Sequence, residues 1–149
     1  MNCRPIGTVK SRVTEGVDQG WGDVVSEIRI DSEFAPGLLG LESFSHVIVV
    51  FDMHRSTWTP GSDLVRRPRG LADMPLLGIF AQRAKHRPNA IGITTVELLG
   101  VEGNVLKVRG LDAIDGTPVI DIKPHFPQFD APAAVRCPGW VDRLMSGYF

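Results

Sequence analysis

Short β-type runs separated by turn residues dominate this chain, and they constrain its fold more than any other feature. In Phe44–His54 (FSHVIVVFDMH), Val47, Val49, Phe51 and Met53 share one face, and His46, Ile48, Val50, Asp52 and His54 share the other. Side chains alternate across a strand, so the first set reads as core. The second set turns polar towards its C-terminal end, as where a strand emerges beside a site. Ile6–Ser11 and Val24–Ile30 read as earlier strands. LLGIFAQ, IGITTVELL and NVLKVRG read as later ones, with Val101–Asn104 as the hairpin turn between the last two. Asp115-Gly116 is a strong type I′ hairpin signal, and Pro118 can open the strand that follows. Helix is limited to a turn or so at Pro36–Glu42 and to PGWVDRLMSG, which spaces Trp140, Val141, Leu144 and Met145 amphipathically. About six or seven strands with hairpin connections predict a mainly β fold: a small single-domain antiparallel β-barrel with few short helices.

The length of 149 residues suits one domain over positions 1–149, with no additional C-terminal domain expected. A charged fraction of 22% against 43% hydrophobic residues excludes a disordered chain. No apolar run approaches the ~20 residues of a membrane helix, and MNCRPIGTVKSR lacks the apolar core of a secretory signal. The expected setting is the cytoplasm, without a membrane. Cys3 and Cys137 form no CxxC and read as free thiols. The histidines form no HxxH or HExxH, so no metal is expected. Gly20-Trp21-Gly22 lacks the third glycine of GxGxxG, and neither GxxxxGK[ST] nor GxSxG occurs.

Net charge is −1, but the charge is unevenly placed. Between Leu64 and Thr95 there are six basic residues against one acid, whereas Thr14–Glu33 has six acids against one base. Arg83, Lys85, His86 and Arg87 fall within five positions of FAQRAKHRPNAIG. A cationic segment in a neutral protein fits an anionic ligand bound in one place.

FAQRAKHRPNAIG followed by LDAIDGTPVIDIKPHFPQFD resembles the TrmO (YaeB, TsaA-like) family of S-adenosylmethionine-dependent tRNA methyltransferases. RPIGTVKS, GLESFSHVIVVFDMHR and RPRG support the resemblance, which spans Pro5–Asp130. It implies a TsaA-like β-barrel and a homodimer that binds S-adenosylmethionine near the subunit interface. The implied substrate is tRNA, methylated on the exocyclic nitrogen of the threonylcarbamoyladenosine beside the anticodon. The family's TRSP is here Gln82–Lys85, and the proline of its RPNPIG is Ala90. The tyrosine after DIKP is His125, and the aromatic of VPYAD is Gln128. These departures fall on the substrate side.

Methyl transfer from a sulfonium requires alignment and exclusion of water more than help for the leaving group. The cofactor offers three handles: a carboxylate, an adenine and a ribose diol. The resemblance implies that Arg83, His54-Arg55 and Ile114-Asp115-Gly116-Thr117 belong to its pocket. Trp21 and Thr95 align with further contact positions. An arginine fork suits the methionyl carboxylate, and a turn offers backbone groups to an adenine edge. The ureido nitrogen is a poor nucleophile, so a base or an anion stabiliser should assist. Asp121, His86 and His125 are candidate bases. Arg87 and Lys123 are candidates for holding a threonyl carboxylate or phosphates. Arg66, Arg67 and Arg69, with Lys85 and Asn89, extend the surface expected to meet the nucleic acid. Two other readings stand beside this one. One is methylation of another RNA or a small molecule. The other is a non-catalytic barrel that binds RNA or a nucleotide.

Overall fold

Alternating burial along each strand decides which face closes inward. The computed structural model describes residues 3–149. The strands are β1 (Gly7–Lys10), β2 (Val25–Ile30), β3 (His46–Asp52), β4 (Val65–Arg66), β5 (Leu77–Gly78), β6 (Ile91–Glu102), β7 (Val105–Arg109) and β8 (Pro118–Pro124). Six of them close an antiparallel barrel in the order β1-β2-β7-β6-β3-β8, while β4 and β5 form a separate ribbon. Val9, Ile28, Val47, Val49, Phe51, Val96, Leu106, Val108 and Val119 fill the interior. This is the expected inward set of β3, and the expected mainly β barrel. Short helices α1 (Pro60–Asp63), α2 (Pro127–Asp130) and α3 (Trp140–Met145) lie in the connections and near the C-terminal end.

Two register shifts shape the wall. Val50 of β3 faces Asp121 and Phe51 faces Val119, which leaves Ile120 as an extra residue on β8. Such a bulge lets Val119 and Ile122, an odd distance apart, both face the core. A second shift, between Leu98 and Gly100, bends the long β6 against β7. The Val101–Asn104 turn closes the β6–β7 hairpin as anticipated, with Gly103 at a φ of +58°.

Two sequence expectations are corrected. LLGIFAQ is not a barrel strand: only Leu77–Gly78 is extended, pairing with Val65–Arg66, and Ile79–Ala81 form a 3-10 turn. The spacing of buried residues explains the break. Ile79 and Gln82 are buried with Phe80 and Ala81 both exposed between them, a three-residue period that fits a 3-10 turn and not the two-residue alternation of a strand. The Gln82 side chain then donates to the carbonyls of Arg66 and Leu77 at 2.9 and 3.0 Å, tying both short strands to the turn. Asp115-Gly116 turns the chain without closing a hairpin between strands. The residues before it are not a strand, and the Asp115 and Gly116 amides bond to the carbonyls of Val13 and Val9. The turn therefore docks on β1. Gly116 still needs its positive φ of +79°.

The anticipated C-terminal helix is present as α3. The chain after it runs beside Gly20–Gly22: the Gly20 and Trp21 amides donate to the Gly147 and Tyr148 carbonyls, each at 2.8 Å. Gly22 permits this approach, since a Cβ there would lie 2.5 Å from the Phe149 carbonyl carbon.

Gly92 opens β6 against the Phe51 ring, and a Cβ there would lie 2.3 Å from ring carbon Cε2. Gly→Ala at an unstrained site stabilises by roughly 0.4–1 kcal/mol through the unfolded chain. Here the clash reverses the sign. Gly92→Ala should lower the urea midpoint by the equivalent of about 1–3 kcal/mol, and Phe51→Leu in the same chain should recover part of it. A midpoint unchanged or raised in Gly92→Ala would rule out the close approach.

Candidate active site

Where β3 ends and β6 begins, the barrel carries a groove of about 1460 Å³. Its floor is apolar, with Trp21, Phe51, Met53 and Ala113 contributing, and Trp21 is 2% exposed. The Trp21 indole donates to the Val17 carbonyl at 2.9 Å. Its rim is cationic: Arg55, Arg66, Arg69, Arg83, Lys85 and Arg87 line it against Glu15, Asp18 and Asp112.

The cations are anchored mainly by main-chain oxygens. Arg83 donates to the Ile93 carbonyl at 2.5 Å, Arg87 to that of Gln82 at 3.1 Å, and Arg55 to that of Thr14 at 3.0 Å. Arg66 reaches Asp63 at 3.7 Å and Arg69 reaches Asp18 at 3.7 Å. Among the described residues, Arg55, Arg83, Lys85 and Arg87 have no carboxylate within ion-pairing distance. A carbonyl orients a guanidinium without cancelling its charge. The groove therefore presents fixed positive charge to whatever enters, as an anion site requires. Arg69 is held at a φ of +51°, a left-handed conformation uncommon for a non-glycine residue.

Another part of the groove lining is polar and partly buried. The Thr94 hydroxyl donates to Asp112 Oδ1, and the Tyr148 hydroxyl donates to Asp112 Oδ2 at 2.7 Å. Burial, and then the neighbouring Asp112 charge, push the Tyr148 phenol above its ordinary pKa. The guanidinium of Arg69 lies over the Tyr148 ring at 5.6 Å.

Residues 18–131 match the model of the tRNA-methyltransferase O N-terminal domain. The chain belongs to the tRNA-methyltransferase O family. A probable S-adenosyl-L-methionine-binding protein of Pyrococcus abyssi is 37% identical over 94% of this chain and 76% of its own length. An S-adenosyl-L-methionine-binding protein of Archaeoglobus fulgidus is 44% identical over 87% of this chain and 93% of its own. The human tRNA (adenine(37)-N6)-methyltransferase is 43% identical over 68% of this chain, which corresponds to 22% of the human protein. Among solved structures, TrmO from Pseudomonas aeruginosa superposes with a TM-score of 0.76 at 33% identity, over 94% of this chain and 61% of that one. The chain thus spans about three fifths of that TrmO structure.

Within this TrmO-family barrel, most residues anticipated from sequence converge on the groove. Trp21, His54, Arg55, Arg66, Arg69, Arg83, Lys85, His86, Arg87, Asn89, Thr95, Ile114 and Thr117 all line it. His86 is held through Nδ1 against the Thr57 backbone. Asp115 and Gly116 stand behind the wall, at the end of β1. Arg67 turns away, donating to the Met74 carbonyl. Asp121, Lys123 and His125 are also elsewhere. Asp121 and Lys123 pair with each other at 2.5 Å on the outer face of β8. His125 lies 3.4 Å from Asp130 and packs edge-on to His46. Sequence reasoning missed Asp112, Thr94 and Tyr148. Asp112 is masked by the turn signal just after it, and nothing near Tyr148 in sequence marks it as a groove residue. Among the described residues, no group of His, Cys, Asp or Glu is arranged to hold a metal, and no helix is long and apolar enough to cross a membrane.

Asp115 Oδ1 accepts from the Ser11 amide at 3.0 Å and Oδ2 faces Lys10 at 3.3 Å. The Ser11 amide above all, and Lys10 after it, hold its pKa below the ordinary value. A depressed carboxylate stabilises the fold above its unfolded pKa, and the contribution is lost as pH falls through the lower folded value. Asp115→Asn should therefore be less stable than wild type at pH 7. That gap should stay constant down to the ordinary carboxylate range and shrink below it. A gap independent of pH in urea titrations would remove Asp115 from this role.

Proposed function

We propose that this protein is an S-adenosylmethionine-dependent tRNA methyltransferase acting on the exocyclic nitrogen of the threonylcarbamoyladenosine beside the anticodon, in the cytoplasm. The observation that carries this reading is the groove itself. It sets unneutralised guanidinium groups around an apolar floor, in a barrel of the TrmO family. Relatives named as S-adenosyl-L-methionine-binding proteins, and a human relative named as a tRNA (adenine(37)-N6)-methyltransferase, support the cofactor and the substrate class.

The donor set fits the cofactor. In this reading Arg83, held by the Ile93 carbonyl, takes the methionyl carboxylate. Ile114 and Thr117, the two ends of the Ile114–Thr117 turn, line the groove and offer backbone groups for an adenine, while Trp21, 2% exposed, supports the floor instead of stacking on the base. His54, Arg55 and Thr95 complete the rim. When bound, adenosylmethionine supplies an electrophilic methyl group on a sulfonium. The chain's own task is to orient the nucleophile, keep water out and accept the proton that leaves nitrogen. In this reading Arg87 and Lys85 take the threonyl carboxylate, and Arg66 and Arg69 take phosphates. Of the candidate bases Asp121, His86 and His125, His86 is the one that lines the groove, and it takes the role of proton acceptor in this reading. Gln82, one of the departures from the family pattern, is 6% exposed and spends its side-chain amide on backbone carbonyls. It lines the groove as a structural tie, with its donor group already committed to the main chain.

The active form is a homodimer. Phe80 in the 3-10 turn, and Ile91 and Ile93 on the outer face of β6, are 78%, 43% and 50% exposed and continue the groove rim. Ile48 and Val50 stand in the same outward rows. A second copy covering this patch would bring the interface to the cofactor. The same rows carry Asp121 beside Val50 and Lys123 beside Ile48. Catalytic roles for Asp121 and Lys123 therefore depend on that dimer, whereas His125, beside Asp130 and His46, would meet tRNA outside the groove. Sedimentation should show a wild-type dimer and an Ile93→Asp monomer. A monomeric wild type at assay concentration would remove the interface, and with it the catalytic roles of Asp121 and Lys123.

The decisive assay is methyl transfer to tRNA with and without the threonylcarbamoyl group. Wild type should methylate only the modified tRNA. Arg87→Ala should abolish transfer while adenosylmethionine binding stays within a few-fold. Loss of cofactor binding in Arg87→Ala would move Arg87 to the cofactor shell. Methylation of both tRNAs alike would overturn the substrate assignment.

A further inference from the structure

The assignments above leave one handle of the cofactor, its ribose diol, without a partner. Three acids line the groove. The Asp18 side chain is 74% exposed and faces Arg69, and Glu15 is exposed. Asp112 differs from both. It is half-buried in the wall between β7 and β8, and no cation among the described residues lies within ion-pairing distance. A partly buried carboxylate with no cation depends on hydrogen-bond donors. The protein supplies one hydroxyl to each oxygen: Thr94 to Oδ1 and Tyr148 to Oδ2. A carboxylate offers about four lone-pair positions, so roughly two remain for donors arriving from the groove.

The holder is rigid. Thr94 is fixed in β6 opposite Val49 of β3. Tyr148 is fixed by the backbone bonds of its segment to Gly20 and Trp21 and by Arg69 over its ring. Its phenol is pushed above its ordinary pKa, chiefly by burial, and so stays a neutral donor at neutral pH. Tyr148 lies outside the 18–131 segment matched by the family model, so this contact comes from a part of the chain that the family match does not describe. A carboxylate that is fixed, unneutralised and open on one side suits two adjacent hydroxyls, whose spacing matches its two oxygens.

We propose that Asp112 accepts the ribose hydroxyls of the adenosyl cofactor, with Thr94 and Tyr148 as residues that position its carboxylate. This rests on the adenosylmethionine reading. A carboxylate also suits the α-ammonium or the sulfonium, so the probe must lack both. 5′-Methylthioadenosine does, and its 2′,3′-dideoxy analogue removes only the diol.

Calorimetric titration of the full chain with this pair tests the assignment, with S-adenosylhomocysteine as reference. Wild type should bind methylthioadenosine roughly 10–100-fold more tightly than the dideoxy analogue. Asp112→Asn should bind both weakly and nearly alike. Tyr148→Phe should narrow the difference without abolishing it. Equal wild-type affinities, or a difference left intact in Asp112→Asn, would overturn the proposal. So would an Asp112→Asn loss confined to S-adenosylhomocysteine, since that points to the ammonium. Should Asp112→Asn fail to fold, the wild-type comparison and Tyr148→Phe decide the matter. If the folded wild type binds neither adenosyl ligand, the cofactor reading itself fails, and this inference falls with it.

Discussion

The barrel depends on the pairing of β3 with strands on both of its edges. β6 matches it from His46↔Glu97 to Asp52↔Ile91, and β8 matches it from Val47↔Pro124 to Phe51↔Val119. Those two ladders bring together strands separated by dozens of residues. They also set the inward row of Val47, Val49 and Phe51, which is fully buried. Everything at the groove hangs from the two ends of these ladders. Met53 and His54 leave β3 where Ile91 and Gly92 enter β6, and the Met53 amide bonds to the Ala90 carbonyl at 2.8 Å. A slip of one residue would turn Thr94 away from Asp112 and send Thr95 inward, because side-chain direction alternates with register.

The second constraint is electrostatic. Like charges crowd the segment from Arg83 to Arg87, and the folded chain does not neutralise them with acids. It aims them with carbonyl oxygens of Ile93 and Gln82. Neutralisation would add stability at the cost of the field that attracts an anion. Orientation by carbonyls retains that field and fixes the direction of each guanidinium. The groove is thus a site whose unmet charge is part of its design, in the sense that function and local stability pull in opposite directions.

Much of the fold was legible in the sequence. Alternation in Phe44–His54 identified the inward face of β3, and the Val101–Asn104 turn located the β6–β7 hairpin, because both signals are local. LLGIFAQ misled for the same reason. Its composition is that of a strand, but a glutamine side chain and a buried Ile79 end the strand after two residues, and those contacts are made by a distant segment. Asp115-Gly116 marked a turn correctly. What the turn docks against was set by β1, which lies a hundred positions away.

The chemistry divides along the same line. The sequence by itself determined the mainly β class, the cationic segment and the motifs that mark the family. These depend on residue type and short spacing, which survive without coordinates. Only the tertiary structure decided which charges share a groove. It gathered Arg55, Arg66, Arg69, Arg83 and Arg87, sent Arg67 to the Met74 carbonyl, and left Asp121 and Lys123 paired on the outer wall. It also joined Thr94, Asp112 and Tyr148 into one hydrogen-bonded set. Barrel closure makes neighbours of residues far apart in the chain. That is why a half-buried carboxylate with two hydroxyl donors leaves no pattern in the sequence.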